Sequence, residues 1–372
     1  MHKKKLALVI SSMRSGGAER VMANLANALV EQGYDITLIL FTAPSEESFF
    51  TIDPQVKVLH LNCLSHHKNP LVYLKNMLYC LYILRKTVKS LNVQGIISFL
   101  ESVNMAVLVA TIGLKIPVII SERIDPAFHR IAKFYAFGRL KIYQLCTKLV
   151  VQTKSVYDYF PTKFQPFMEI IPNPVSTSPV QKTNHADEVT HIVSVGRLTP
   201  QKNHAILIRA FAYIIEDYPN VQLTIIGDGE ERSNLEQYIQ IVRQILAPHI
   251  DPAKSIHLPG AIKNITPELL KADLFVFPSL YEGFPNALCE AMSIGLPVIA
   301  SNVTGNRDLV VHNKNGLLFE AKDAHDLARQ IIQMMDVTVR RRLASESIKV
   351  TLDYQADKIY ARWINLIENV CV

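Results

Sequence analysis

Residues 279–301, SLYEGFPNALCEAMSIGLPVIAS, restrict the fold more than any other stretch of the chain. They follow an apolar run, LFVFPS, that reads as a buried strand. The chain turns at Tyr281-Glu282-Gly283-Phe284, and Pro285 stands where a helix can begin, because its missing N–H is not needed in a first turn. A helix is predicted over Asn286 to Ser293. Gly295-Leu296-Pro297 stops it before a second buried strand, VIAS. Strand, tight turn, helix and strand in that order belong to a parallel α/β sheet. A helix N-terminus offers unpaired N–H groups and partial positive charge, which suit a phosphate. Two carboxylates, Glu282 and Glu290, flank that anion site. A carboxylate beside a phosphate is repelled unless it meets something else, such as sugar hydroxyls. The stretch therefore reads as a site for a sugar joined to a phosphate.

The same rhythm runs along the whole chain. LALVISS, ITLILF, IISFL, VIISE, KLVVQT and MEIIP read as strands of a first α/β half, with helical patterns between them. NPVSTSPVQKTNHADE (173–188) breaks the rhythm, being rich in Pro, Ser, Thr and Asn, and reads as a linker. Strands and helices resume at HIVSVGR (191–197). The expected organisation is a Rossmann-like domain over 1–172, the linker 173–188, and a second Rossmann-like domain over 189–352. With 372 residues and 49% apolar content, the chain can bury two cores.

The short basic-then-apolar start, MHKKKLALVISSM, reads as a first strand; a secretory leader would need a longer run and a small-x-small cleavage pattern. No apolar run approaches the ~18–20 residues of a spanning helix. Five scattered cysteines without a C-x-x-C pair predict a reduced protein with neither a disulfide frame nor a zinc site. Charge is uneven. Residues 1–172 hold 20 Lys and Arg against 11 Asp and Glu, a balance of +9, whereas residues 173–372 hold 19 against 22, a balance of −3. Such asymmetry predicts an anionic partner for the first half, whether lipid, a diphosphate-linked acceptor or nucleic acid. No recognisable nucleic-acid module is present. There is also no Asp-x-Asp, Walker lysine motif or G-x-S-x-G elbow, so no metal or other cofactor is expected.

Other candidate residues lie at predicted strand ends. Gly16 and Gly17 follow the first strand and allow close approach of a ligand, although a plain strand–helix turn would look the same. Gly196-Arg197 closes the first strand of the second half and Lys202 follows five residues on. Cations at the carboxyl end of such a strand stand where ligands bind, and Arg and Lys could balance a departing diphosphate. In the helical pattern 69–91, Lys75, Tyr79, Tyr82, Lys86 and Lys89 fall in one narrow stripe, with Leu74, Met77, Leu81, Leu84 and Val88 opposite. This is either a core helix with a solvated basic face or a surface that meets anionic lipid or a lipid diphosphate. FYAFGRLKIYQLCTK (134–148) adds aromatics and cations to the same half.

At E-G-F-P-N-A-L-C-E-A (282–291) the chain resembles the E-x7-E signature of retaining nucleotide-sugar glycosyltransferases of family four, and GR-x4-KN at 196–203 fits the same family. The resemblance implies the GT-B fold, two Rossmann-like domains facing each other across a cleft, with the last helix (353–372) crossing back to the first domain. It implies that Glu282 lies by the transferred sugar and Glu290 holds the ribose hydroxyls. Backbone from Gly283 through Phe284, Pro285 and Asn286 to Leu288 would meet the sugar and diphosphate. Arg197 and Lys202 would contact the diphosphate, Gly16 and Gly17 would lie against donor and acceptor, and the nucleobase would sit near Gly260-Ala261-Ile262. Arg123 in Ser121-Glu122-Arg123 stands where many relatives have histidine. It either supplies a permanent charge beside the departing diphosphate or points elsewhere with Glu122 as partner. The basic half resembles that of bacterial enzymes extending polyprenyl-diphosphate-linked glycans, including N-acetylgalactosaminyl transferases. The implied activity is metal-independent transfer of a hexose or HexNAc from a UDP-sugar to a lipid-linked or soluble glycan, peripherally at the cytoplasmic face of the membrane. A nucleotide-sugar epimerase, or a non-catalytic glycan- or lipid-binding scaffold, are the alternatives.

Overall fold

The structure is a computed structural model. It describes residues 4–14, 16–63, 69–124, 126, 133–175, 181–182, 186–246 and 255–371, without the side chains of 70, 133–137 and 246. Ser15, residues 176–180 and 183–185 of the expected linker, and the aromatic side chains at 134–137 lie outside the described residues. The chain forms two compact units, Met1–Pro174 with Asp357–Val372, and Val175–Ala356.

In the first unit the strands are β1 (Lys5–Ile10), β2 (Asp35–Leu40), β3 (Lys57–His60), β4 (Gly95–Phe99), β5 (Val118–Ser121), β6 (Lys148–Val151) and β7 (Met168–Ile170). They form one parallel sheet ordered β3-β2-β1-β4-β5-β6-β7. The period of two along a strand is visible in its core. Leu6, Leu8 and Ile10 pack on one face with the helix Gly17–Glu31, while Ala7 and Val9 pack on the other with Val103 and Val107 of the helix Glu101–Ala110. Both faces are covered, as a parallel sheet requires. The last helix, Ala356–Val370, adds Ile359, Trp363, Leu366 and Ile367 to the first face. Burying each such aliphatic side chain contributes roughly 1.5–3 kcal/mol.

The second unit repeats the plan with β8 (His191–Val195), β9 (Gln222–Ile226), β10 (Ile256–Gly260), β11 (Leu274–Phe277), β12 (Val298–Ser301) and β13 (Leu317–Phe319), ordered β10-β9-β8-β11-β12-β13 and parallel throughout. Strand order reverses direction between β8 and β11, so the switch point of the sheet lies there. Phe275 and Phe277 face one core with Leu288 and Met292 of the helix Asn286–Ser293, and Leu274 and Val276 face the other.

Three expectations need correction. Part of the segment read as a linker is packed on the second unit: Lys182 donates to the Ala272 and Leu270 carbonyls and lies 3.5 Å from Asp273. Cys63 and Cys80 are joined as a disulfide, with their Cα atoms 5.3 Å apart, where the sequence predicts only thiols. The helix Pro70–Leu91 buries Leu84 and Val88 as expected, but Leu74 and Met77 on the same side are 47% and 42% exposed. No other element of the described chain covers the first turns, so apolar spacing there does not produce a core face.

Candidate donor-binding site

The second unit gathers most of the predicted residues at the carboxyl ends of β8 and β11, at its switch point. Gly196 and Arg197 follow β8, and Arg197 is exposed. Lys202 ends a short 3-10 turn, Pro200–Lys202. Its stem runs along Gly196, where an added Cβ would lie 3.3 Å from Lys202 Cδ. Lys202 Nζ donates to Glu282 Oε1 at 2.5 Å and lies 4.9 Å from the centre of the Phe277 ring. Both charged side chains are largely buried, with 16% and 7% of their surface exposed. A paired cation and carboxylate are thus held side by side with little water around them, which strengthens each one's pull on a ligand's charge.

The helix Asn286–Ser293 starts just beyond, with Pro285 as its N-cap residue. Gly283 and Pro285 are buried; Asn286 and Glu290 are half-buried. Phe284 packs edge-on against Tyr354, and Leu288 is fully buried, so both side chains belong to the core. The backbone N–H of Asn286 is already donated to the Phe284 carbonyl at 3.0 Å. One of the expected first-turn donors is therefore spent inside the turn. Ile262 lies two residues beyond β10, 36% exposed.

Close backbone approach builds the floor of this site. Gly227, after β9, has φ +152, and a Cβ there would stand 1.9 Å from the Gly196 carbonyl oxygen. Only glycine lets the two strand ends meet. Two positions missed by sequence reading hold the Glu282 loop. Gln201 accepts from Leu280 N through its carbonyl at 2.8 Å and donates from Nε2 to the Tyr281 carbonyl at 2.8 Å. Gly305, at φ +82, lies so near Glu282 that a Cβ would be 2.6 Å from its carbonyl oxygen. The extra glycine in Thr304-Gly305-Asn306 was the only available signal.

Within the first unit, Gly16 caps the helix Gly17–Glu31 without a side-chain bond, and a Cβ on it would collide with Glu19. Arg123 follows β5 and is 8% exposed. Its Nη1 donates to Asn173 Oδ1 at 2.6 Å, which also accepts from Gln152. The guanidinium lies 3.8 Å over the Phe99 ring and 5.7 Å from that of Trp363. Arg123 Nε and Nη2 have no hydrogen-bond partner among the described residues. Burial lowers the Arg123 pKa to about 9, which leaves it charged at neutral pH. Glu122 is not its partner. Glu122 accepts from the Tyr143 hydroxyl at 2.5 Å and lies 3.9 Å from buried Arg139, which is itself 3.6 Å from Glu101. Lys75, Tyr79, Tyr82, Lys86 and Lys89 are all exposed on the helix Pro70–Leu91.

Residues 15–179 match the family model described as Glycosyltransferase Family 4, and residues 177–349 match Glycosyl transferases group 1. The chain is 29% identical over 374 residues to a Campylobacter jejuni α-1,4-N-acetyl-D-galactosaminyltransferase, whose name gives a diNAcBac-PP-undecaprenol-linked GalNAc glycan as acceptor; 98% of this chain and 99% of that one are covered. It is 34% identical over 183 residues to an Escherichia coli UDP-Gal:α-D-GlcNAc-diphosphoundecaprenol α-1,3-galactosyltransferase, covering 47% of this chain and 45% of that one. Among solved structures, sucrose-phosphate synthase from Thermosynechococcus elongatus superposes with a TM-score of 0.81 at 17% identity, covering 99% of each chain. HepE from Anabaena, solved with UDP and glucose, gives 0.75 at 18% identity, covering 99% of this chain and 100% of that one. The two matched models together run from residue 15 to residue 349, and with two doubly wound parallel sheets they make this chain a glycosyltransferase of family four with the GT-B fold.

Proposed function

We propose that the enzyme transfers a hexose or HexNAc, with retention, from a UDP-sugar to a polyprenyl-diphosphate-linked glycan. The observation that carries the donor half is the Lys202–Glu282 pair at the β8/β11 switch point, with exposed Arg197 on the same strand end. Such a set suits a ligand that joins a diphosphate to a sugar. In the reaction the bond from sugar C1 to the diphosphate oxygen breaks and a bond from the acceptor oxygen to C1 forms on the same face. The acceptor proton passes to the diphosphate oxygen. Arg197 and Lys202 stabilise the leaving charge without a metal, and Glu282 opposes the positive charge on the sugar. Arg123, after β5, stays charged at neutral pH and keeps two nitrogens without a hydrogen-bond partner among the described residues, which suits an anionic ligand at that strand end.

The acceptor half is supported by the relatives, whose names specify undecaprenyl-diphosphate glycans. It is supported also by the helix Pro70–Leu91, where Leu71, Leu78 and Tyr82 are 77%, 56% and 62% exposed beside Lys75, Lys86 and Lys89. An apolar surface bordered by lysines suits peripheral contact with an anionic membrane, and we place that contact on the cytoplasmic face. No helix among the described residues is long and apolar enough to cross a membrane.

The test is a panel of UDP- and GDP-sugars with membrane lipid extract as acceptor and EDTA present. UDP release with lipid-bound sugar is the expected result. UDP release with no lipid product would overturn the acceptor half, and loss of all transfer in EDTA would overturn metal independence.

A further inference from the structure

Glu282 sits in a loop gripped from two sides. On one side Gln201 binds the backbone of Leu280 and Tyr281, each at 2.8 Å. On the other, Gly305 abuts the Glu282 backbone; an added Cβ would be 2.6 Å from the carbonyl oxygen and 3.0 Å from the Glu282 Cβ. Gly305 is itself held by the next residue. Asn306 is fully buried and donates from Nδ2 to the Ser301 carbonyl at 3.1 Å and to Ser301 Oγ at 3.0 Å. Ser301 Oγ in turn donates to the Ser279 carbonyl, at the start of the Glu282 loop. The chain of contacts thus begins and ends on that loop and crosses the carboxyl ends of β11 and β12.

We propose that Gln201 and Gly305 are positioning residues for Glu282. They set where its carboxylate stands relative to the transferred sugar, and they do not touch the nucleotide. The physical reason is leverage. The loop carries a carboxylate whose partner, Lys202, lies on a flexible stem, so the ion pair alone fixes a distance and not an orientation. Two hydrogen bonds of 2.8 Å with Gln201 on one flank, and the close approach of Gly305 on the other, hold the backbone on either side of the Glu282 Cα. Gly305 has φ +82, which a side chain would also strain. Any Cβ there must push Glu282 away by several tenths of an ångström. A shift of that order at a reacting centre costs on the order of ten- to a hundredfold in rate.

This inference rests on the transfer reading above. Its test uses the full chain with the donor identified in the sugar panel, and UDP itself as the binding probe. Gly305→Ala is expected to lower kcat by about ten- to a hundredfold while the Kd of UDP stays within about twofold. Gln201→Met keeps the length of the side chain and removes its donor; it is expected to lower kcat by about three- to tenfold with the same unchanged UDP affinity. Gln201→Met leaves the backbone conformation accessible, so the inference stays testable if Gly305→Ala does not fold. UDP affinity falling in step with kcat in Gln201→Met would overturn it, because the residue would then serve the donor site as a whole. Unchanged kcat in both variants would overturn it equally. A wild-type enzyme that binds UDP but transfers no sugar would remove the transfer reading itself, and this inference with it.

Discussion

Lys202 has two claims on it. Its ammonium is matched by Glu282 at 2.5 Å in a site with little exposure. A diphosphate brings more negative charge to the same place, and on the transfer reading it takes Lys202 over. Glu282 then loses its partner and faces the sugar, where positive charge develops. Competition of this kind predicts that Glu282→Gln binds UDP more tightly than wild type, by about three- to tenfold, because the ammonium is no longer held by a carboxylate. The same variant should lose transfer by about a hundredfold or more. Titration of UDP into both proteins measures the first effect; weaker UDP binding by Glu282→Gln would show that the carboxylate supports the nucleotide and does not compete for Lys202. Lys202→Met makes the reverse change and strands a buried carboxylate. Loss of one partner of a buried pair costs on the order of 3–5 kcal/mol, so this variant should both bind UDP poorly and melt at lower temperature.

The helix Pro70–Leu91 carries the prediction at the scale of an element. Leu71 and Leu78 are mostly exposed, so changing both to Ser removes apolar surface without opening a core. The double variant should fold and melt like wild type, yet bind anionic vesicles at least about tenfold more weakly, each lost leucine being worth roughly 1–2 kcal/mol of membrane partition. Equal sedimentation with vesicles would remove this helix from the membrane contact. The element also shows what a sequence can reveal. Its period and its basic stripe are legible, because they depend on neighbours three or four residues away. That Leu84 is buried and Leu74 exposed is not legible, because it depends on which other elements come to lie against them. The disulfide between Cys63 and Cys80 is hidden for the same reason: 17 residues separate the pair, and no local spacing announces that they meet. At the candidate site, Glu282, Glu290 and Lys202 stand in linear motifs and can be read directly. Gln201 and Gly305 cannot. Gln201 meets the backbone of a residue 80 positions away and Gly305 abuts that of Glu282, and no side-chain chemistry announces either contact.

At the scale of the whole molecule, the two units titrate in opposite senses. His204 lies in the second unit, almost fully buried at the start of the helix His204–Ile214, and burial lowers its pKa from 6.5 to about 3. The unfolded chain therefore takes up a proton below pH 6.5 that the folded unit refuses, and stability is lost as pH falls. Half-buried His191 is shifted in the same direction by burial. Glu122 lies in the first unit, where burial raises its pKa from 4.5 to about 7, against the opposing effects of Arg139 and Tyr143. Between pH 4.5 and 7 the folded unit holds a proton that the unfolded chain has released. Its stability is greatest at the acid end of this window and falls as pH rises. Moving from pH 5 to pH 8 should thus strengthen the second unit and weaken the first, each by roughly 2 kcal/mol. Calorimetry at the two pH values is expected to show two transitions whose separation changes with pH. His204→Phe should flatten the pH dependence of one transition only, and Glu122→Gln that of the other. A single transition that moves in one direction, and responds alike to both substitutions, would show that the units unfold as one body and that their opposed titrations cancel within it.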